Sequence, residues 1–240
     1  DGFVVLASTF DRFMAETDMG VEIEAELAKV NKDDVSSVDS ASHVIQALIL
    51  NKEVPKDITD EILKQYKSQR MDLVAVSSSA TAEDSSTASW AGELESYLMV
   101  TEENLLDCVR RCWASLFTPR AIFYRIEKGM SKTKVSVAVV VQKMIGSHVS
   151  GITFTVHPVT QDKDQMIIEA GYGLGEAIVG GLITPDAYVV NKKTKEILDI
   201  NVAIQEIKIV RQLKGLTQKA KTDKEEHESQ KLSEKQILEL

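Results

Sequence analysis

The sequence predicts an α+β fold, in which a helical N-terminal part is joined to a mostly antiparallel sheet. Apolar residues recur at helical spacing through the first seventy residues. β-branched apolar runs dominate between about residues 134 and 210. A polar stretch at 191–195 separates two of these runs and indicates a hairpin. Helices followed by neighbouring hairpin strands are typical of the α+β class.

Four helices are expected before residue 70. Ser8 or Thr9 can cap the first helix, and Asp57 can cap the fourth after a break at Pro55. The apolar stripes of the four helices are Phe10, Phe13 and Met14; Val21, Ile23 and Leu27; Val44, Ile45, Leu48 and Ile49; and Ile58, Ile62, Leu63 and Tyr66. Such stripes belong to a core.

The period of the apolar residues changes after the next two helices. One helix is expected over 104–116, and Thr118 followed by Pro119 is a strong start signal for another. Residues 134–144 are β-branched and almost wholly apolar, as in a central strand that is buried on both faces. Further strands are expected at 151–156, 165–170, 187–191, 197–202 and 204–210.

The chain divides by composition into three parts. A helical subregion covers about residues 1–70, and a phosphate-loop and sheet region covers about 71–212. Residues 213–240 are rich in charged and polar side chains, so we expect a charged linker there. The apolar residues of 232–240 indicate the start of a truncated helix. Because residue 1 is not Met, the chain reads as the interior of a longer one.

Charge and hydropathy exclude two classes of partner. The net charge of −9 over 240 residues argues against general nucleic-acid binding, which needs a basic surplus. No apolar run reaches the roughly 18–20 residues of a membrane span. Cys108 and Cys112 lack a nearby His or Cys for a metal site, so they read as buried reduced thiols. Reduced thiols favour a cytoplasmic location.

The most informative stretch begins after the strand-like run Leu73–Val76. Residues 77–89 are rich in Ser, Thr and Ala, and Trp90, Ala91 and Gly92 follow. Small hydroxyl residues let backbone N–H groups approach a ligand closely, which suits a loop that covers phosphates. A flexible linker has the same composition. An aromatic anchor beside a hydrophobic strand favours the phosphate loop.

Two further stretches suit a nucleotide. Residues 171–190 contain alternating glycines whose offsets differ from the dinucleotide fingerprint. They indicate either tight turns with positive φ or a glycine-rich wall against a nucleotide. Gln142, Met144 and Ile145 end the long apolar strand, where Gln142 can reach a ribose or base.

The titratable side chains predict no catalytic residue within this chain. His43, His148, His157 and His227 are far apart in sequence and form no triad pattern. Glu83 and Asp84 lie in the Ser/Thr-rich stretch, where solvated acids are commoner than metal ligands. We therefore expect no metal ligand in this chain.

Taken together, these motifs resemble the nucleotide-binding domain of the phosphoenolpyruvate synthase, pyruvate phosphate dikinase and rifampin phosphotransferase family. The matching segments are 78–84, 91–92, 97–98, 114–117, 120–121, 141–144, 150–151, 154–155, 173–176, 181 and 185–186. The resemblance covers about residues 1–212, which would be a partial ATP-binding domain.

The resemblance implies an ATP-grasp-like fold whose two lobes hold ATP and Mg²⁺. It implies phosphate transfer from ATP to a histidine on a separate swivelling domain of the same parent chain, and then to a small acceptor such as pyruvate on an acceptor domain. The ATP-binding positions carried over are Ser77, Gly92, Ser96, Gln142, Met144 and Ile145. Gly92 would lie over the phosphates, and Met144 with Ile145 would border the adenine.

One departure from the family pattern supports an alternative. Relatives usually have Arg where this sequence has Ser77, and a serine hydroxyl cannot clamp phosphate bidentately. Ser96 replaces a frequent Thr and keeps the hydroxyl. The phosphate-binding lysine before residue 1 and the Mg²⁺-binding segments after residue 240 are expected outside this chain, which alone should be inactive. The alternative function is a degenerate nucleotide-binding module.

Overall fold

A computed structural model describes residues 1–81, 94–130, 133–212 and 216–240. These residues form two compact units, Asp1–Met144 and Ile145–Leu240. Every strand pairing among them is antiparallel, so the predicted α+β fold with mostly antiparallel sheets is confirmed. No helix in the described ranges is long and apolar enough to cross a membrane.

The first unit packs helices against one side of a four-stranded sheet. Its strands are β1 (Gly2–Val5), β2 (Val74–Ala80), β3 (Ser96–Val100) and β4 (Val137–Lys143), in the order β1-β4-β2-β3. Its helices are α1 (Ala7–Glu16), α2 (Gly20–Leu27), α3 (Val35–Asn51), α4 (Lys56–Ser68), α5 (Glu102–Ala114), a 3₁₀ turn (Ser115–Phe117) and α6 (Pro119–Glu127).

The core of the first unit lies between these helices and the sheet. Trp113 of α5 is fully buried and stacks on Phe13 of α1, with 4.9 Å between ring centroids. Alternate residues of β4 point into the same core, where Val137, Val139 and Val141 are fully buried. One face of the sheet is therefore apolar, and the side chains between these valines occupy the opposite face.

The second unit contains two sheets. One has the order β5-β6-β7-β8, formed by β5 (Val149–Phe154), β6 (Gln165–Tyr172), β7 (Asp186–Asn191) and β8 (Glu196–Asn201). The other pairs β9 (Ile207–Arg211) with β10 (Thr217–Lys221). Helix α7 (Glu176–Val179) follows β6, and α8 (Glu234–Glu239) packs Ile237 against the four-stranded sheet.

Several local predictions are confirmed. Thr118 caps α6 by accepting a hydrogen bond from the Ala121 N–H, and Pro119 is its first residue. The polar stretch 191–195 connects the antiparallel neighbours β7 and β8. A helix does begin near residue 232, where Ser233 caps α8 in a capping box.

Two predicted caps are wrong. Helix α1 begins at Ala7, so Ser8 and Thr9 lie inside its first turn and Leu6 is the N-cap residue. Asp57 lies in the first turn of α4, whose N-cap residue is Pro55. An acidic side chain in a first turn still interacts favourably with the positive end of the helix dipole, so Asp57 stabilises the helix without capping it.

Three strands lie in segments that the sequence assigned otherwise. Strand β1 occupies the start of the region read as helical. Strand β2 extends through residues 77–80, which were assigned to a loop. Strand β10 lies within the expected linker. Strands β1 and β2 pair with β4, which is distant in sequence, whereas β10 forms a hairpin with β9, the strand before it. Local side-chain patterns gave no sign of these pairings.

Candidate nucleotide-binding site

The face of the first sheet opposite the helical core carries three of the predicted site residues. Ser77 of β2 pairs with Ser96 of β3 on one side and with Val140 of β4 on the other. Gln142 of β4 pairs with Ala75, two residues before Ser77. Because side chains alternate along a strand, Ser77, Ser96 and Gln142 share this face. We call it the outer face, defined by Ser77, Ser96, Val140 and Gln142.

The polar side chains of the outer face have unused hydrogen-bonding capacity. Gln142 and Ser96 are exposed, and Ser77 is partly exposed. The side chains of all three make no hydrogen bond with any other described residue. Two hydroxyl groups and one amide therefore provide donors and acceptors to a ligand. An apolar residue, Val140, lies opposite Ser77 and two residues before Gln142 on β4.

Hydroxyl residues in β2 and directly after it have structural roles instead. Ser78 points to the other face and donates to the Glu95 carbonyl oxygen at 2.7 Å. The Thr81 hydroxyl accepts from the Ser136 N–H at 3.2 Å, and the Thr81 N–H donates to the Ser136 carbonyl at 2.9 Å. Strand alternation thus places Ser77 and Ser78 on opposite faces of the sheet, whereas the sequence predicted a loop at these residues.

The remaining predicted positions are placed as follows. Met144 ends the first unit, and its N–H donates to the Leu73 carbonyl at 3.0 Å. Ile145 begins the second unit and is 68% exposed. Gly92 lies outside the described residues.

The glycines after β6 form a tight turn that needs glycine at one position. Gly173 has φ 94°, and a Cβ built there would lie 2.5 Å from the Ile209 carbonyl oxygen. Its own carbonyl accepts the Ser150 hydroxyl at 2.6 Å. The positive-φ interpretation of this stretch is therefore confirmed for Gly173, while a glycine wall against a nucleotide stays a prediction.

Sequence reasoning missed the group that holds the residue before this turn. The side-chain amide of Gln205 is 1% exposed. Its Oε1 accepts the Tyr172 N–H, and its Nε2 donates to the Tyr172 carbonyl, both at 2.9 Å. One amide thus satisfies both backbone groups of Tyr172. A buried Gln 33 residues away gives no local signal in the sequence.

The described residues contain no cluster typical of an all-protein metal site. They contain no cluster of three or more His, Cys, Asp or Glu side chains that could hold a metal ion. Hard cations such as Mg²⁺ take oxygen ligands, chiefly carboxylates and phosphates. Because Mg²⁺ in nucleotide sites is usually bound through one or two carboxylates together with substrate phosphates, we assign no individual residue of this part of the chain as its ligand.

Comparison with known protein families shows the family to which the chain belongs. The family model for the pyruvate phosphate dikinase AMP/ATP-binding domain matches residues 1–240. The chain belongs to this family. It is therefore an AMP/ATP-binding domain, and the resemblance carried by its motifs is confirmed.

Individual relatives are similar along almost the whole chain. A probable phosphoenolpyruvate synthase of Methanocaldococcus jannaschii is 40% identical over 99% of this chain and 21% of its own length. One of Archaeoglobus fulgidus is 42% identical over 100% of this chain and 32% of its own length. A rifampicin phosphotransferase of Bacillus cereus is 35% identical over 100% of this chain and 28% of its own length. The chain thus spans about a third or less of the length of each of these relatives.

Proposed function

We propose that this chain is the ATP-binding part of a phosphotransferase of the phosphoenolpyruvate synthase type. In this proposal, phosphate passes from ATP to a histidine on a separate swivelling domain of the parent chain. It then passes to a small acceptor such as pyruvate. The single observation that supports the proposal most is the placement of Ser77, Ser96 and Gln142 on one face with unused hydrogen-bonding capacity.

The residues of the outer face would bind and orient the nucleotide. The hydroxyls of Ser77 and Ser96 lie on paired positions of a rigid sheet, where they can donate to phosphate oxygens. The Gln142 amide carries both donors and an acceptor and can therefore read a ribose or base edge. Met144 and Ile145 would border the adenine. Mg²⁺, with ligands outside this chain, would neutralise phosphate charge when bound.

The competing function is a nucleotide-binding module without transfer activity. Ser77 favours it, because the family resemblance implies an arginine at this position, and an arginine fork binds phosphate bidentately. Identity near 40% to proteins named probable phosphoenolpyruvate synthase favours transfer. The two functions differ in whether a phosphohistidine forms.

The first experiment measures that intermediate in the full-length protein that carries this chain. Incubation with Mg-ATP labelled on the transferred phosphate should give an acid-labile, base-stable phosphoprotein. Pyruvate should then discharge the label if it is the acceptor. Mg-ATP binding by calorimetry without any labelled protein would support the binding module and overturn the transfer proposal.

The second experiment tests position 77. Ser77→Arg should tighten ATP binding about 10- to 100-fold, since a charge-assisted hydrogen bond contributes roughly 1.5–3 kcal/mol. Ser77→Gln is the matched control, with a similar planar end group and no charge, and it should change affinity less than about threefold. Equal effects of Arg and Gln would show that position 77 does not face phosphate.

A further inference from the structure

Strand β3 contains a bulge beside the proposed nucleotide site. Val74 pairs with Val100, but Val76 pairs with Tyr97, so the register shifts by one between these two pairs. Two residues, Leu98 and Met99, therefore lie opposite the single residue Ala75. Met99 adopts a left-handed backbone conformation with φ 58°.

The conformation at Met99 is unusual for a residue with a side chain. Positive φ is uncommon outside glycine, asparagine and aspartate, because Cβ crowds the following carbonyl oxygen. Met99 is also 4% exposed, so the surrounding packing holds it in place. Bulges of this kind re-aim side chains and are frequent beside functional sites.

The bulge reverses which side chains of β3 reach each face. Val100 points into the helical core, where it is 1% exposed. Strict alternation from Val100 would send Ser96 into the core and Tyr97 to the outer face. With the extra residue, Tyr97 instead packs against the core. Ser96 then lies opposite Ser77 on the outer face.

We propose that Met99 is a positioning residue for the nucleotide site: its left-handed backbone directs the Ser96 hydroxyl to the outer face beside Ser77. The proposal rests on the proposed function, because it assigns the Ser96 hydroxyl to nucleotide binding. Met99 itself contacts no ligand in this account. Tyr97 and Val100 are three residues apart, yet both side chains face the helical core. The extra residue in the bulge makes this spacing possible within one strand.

The main test is a double-mutant cycle with a matched pair of substitutions at position 99. Met99→Ile and Met99→Leu add isomeric side chains, but only Ile is β-branched and strongly disfavours positive φ. In the full-length protein, Ser96→Ala should weaken Mg-ATP binding about 3- to 10-fold. In the Met99→Ile background, Ser96→Ala should weaken Mg-ATP binding less than twofold. In the Met99→Leu background, it should weaken binding as much as in the native protein.

A nucleotide-independent measurement follows the bulge directly. Burial, together with the nearby Glu95 and Cys112, raises the pKa of Tyr97 to about 12. Tetranitromethane attacks accessible phenolate, so Tyr97 should resist nitration at pH 8 in the native protein and in Met99→Leu. In Met99→Ile, Tyr97 should become nitrated, as read by mass spectrometry of its peptide. A folded Met99→Ile protein with protected Tyr97 would overturn the proposal.

A deletion variant keeps the test decisive if Met99→Ile does not fold. Deleting Met99 removes the extra residue and leaves Ser96 opposite Ser77 in a regular strand. Ser96→Ala should therefore weaken ATP binding as much in the deletion variant as in the native protein. If Ser96→Ala has no effect in the native protein while ATP still binds, the positioning role fails and the proposed function survives. Loss of ATP binding by the native protein itself would instead refute the proposed function.

Discussion

Lys231 should be the most sensitive position of the second unit. Its side chain and that of Asp186 are both fully buried, and Nζ lies 2.8 Å from the Asp186 carboxylate. The same ammonium donates to the Ala203 carbonyl and lies 5.8 Å from the Tyr172 ring centroid. We expect Lys231→Met, which keeps the length and apolar stem, to destabilise this unit strongly.

The magnitude follows from what remains around Asp186. Removing one member of a buried ion pair leaves an uncompensated charge and costs about 3–5 kcal/mol. Three neutral donors still reach the carboxylate: the Tyr188 hydroxyl at 2.7 Å and the N–H groups of Ala203 and Lys231, both at 2.9 Å. We therefore expect the lower end, about 3 kcal/mol, because hydrogen bonds partly solvate the charge.

Hydrogen exchange of the second unit is the appropriate assay. A loss of 3 kcal/mol corresponds to roughly 100-fold less protection, since 1.4 kcal/mol is a factor of ten. We expect this loss of protection in the amides of β7 and of residues 223–232, because the hydrogen bonds around Asp186 join these two segments. Lys193→Met is the matched control, since Lys193 forms an exposed pair with Asp164 in the same unit.

The two substitutions should differ strongly in their effect on the second unit. Exposed ion pairs contribute little, so Lys193→Met should leave protection of β7 nearly unchanged. Should Lys231→Met lose no more protection than Lys193→Met, the buried pair would not hold the C-terminal segment on the sheet. Asp186 would then have to be satisfied by the neutral donors alone.

Two further predictions concern the thiols and the glycines after β6. Burial raises the pKa of both Cys112 and Cys108, so neither should react with a disulfide reagent at pH 8 unless urea is added. Unfolded thiols ionise near pH 8.5. The contribution of the two buried thiols to the free energy of unfolding should therefore be fully present below that pH and should fall as the pH rises above it. Urea titrations at pH 7.5 and 9.5 would measure this fall. Gly173→Ala should lower the unfolding free energy by at least about 1–3 kcal/mol, because of its positive φ and the contact with Ile209. Gly175→Ala is its control, since a Cβ there meets nothing closer than 3.8 Å and φ is −58°, and equal effects in urea unfolding would refute the argument.

The sequence predicted the elements that depend on a few neighbouring residues. The Thr118–Pro119 start of α6 depends on a side-chain cap and a fixed φ, both written in two residues. The hairpin between β7 and β8 likewise depends on a short polar turn. The apolar run of β4 predicted a central strand, although β4 begins at Val137 rather than at residue 134.

Elements that depend on contacts between residues far apart in sequence were not predictable from local patterns. The network around Asp186 joins residues 45 positions apart, and a Lys in a charged segment gives no sign that it is buried. Strand β10 was missed for another reason: it belongs to a two-stranded hairpin with β9, and its polar side chains carry no apolar strand pattern. The sequence did place Gln142 near the end of β4, because the apolar run that predicts this strand is a local signal.

The serine-rich segment shows why composition misassigned a central strand. Small hydroxyl residues suit a loop, but they also suit a strand with one polar face, and β2 has neighbours on both sides. Its backbone pairs with β4 along the whole strand and with β3 at Val74, Val76 and Ser77, so it does not need apolar side chains at every position. Position 77 is consequently presented by a rigid sheet rather than by a mobile loop. An arginine placed there would extend from a fixed point two residues from the partner of Gln142. The effect of Ser77→Arg on ATP affinity therefore tests geometry, since the backbone that carries the new charge has little freedom to adjust to the phosphate.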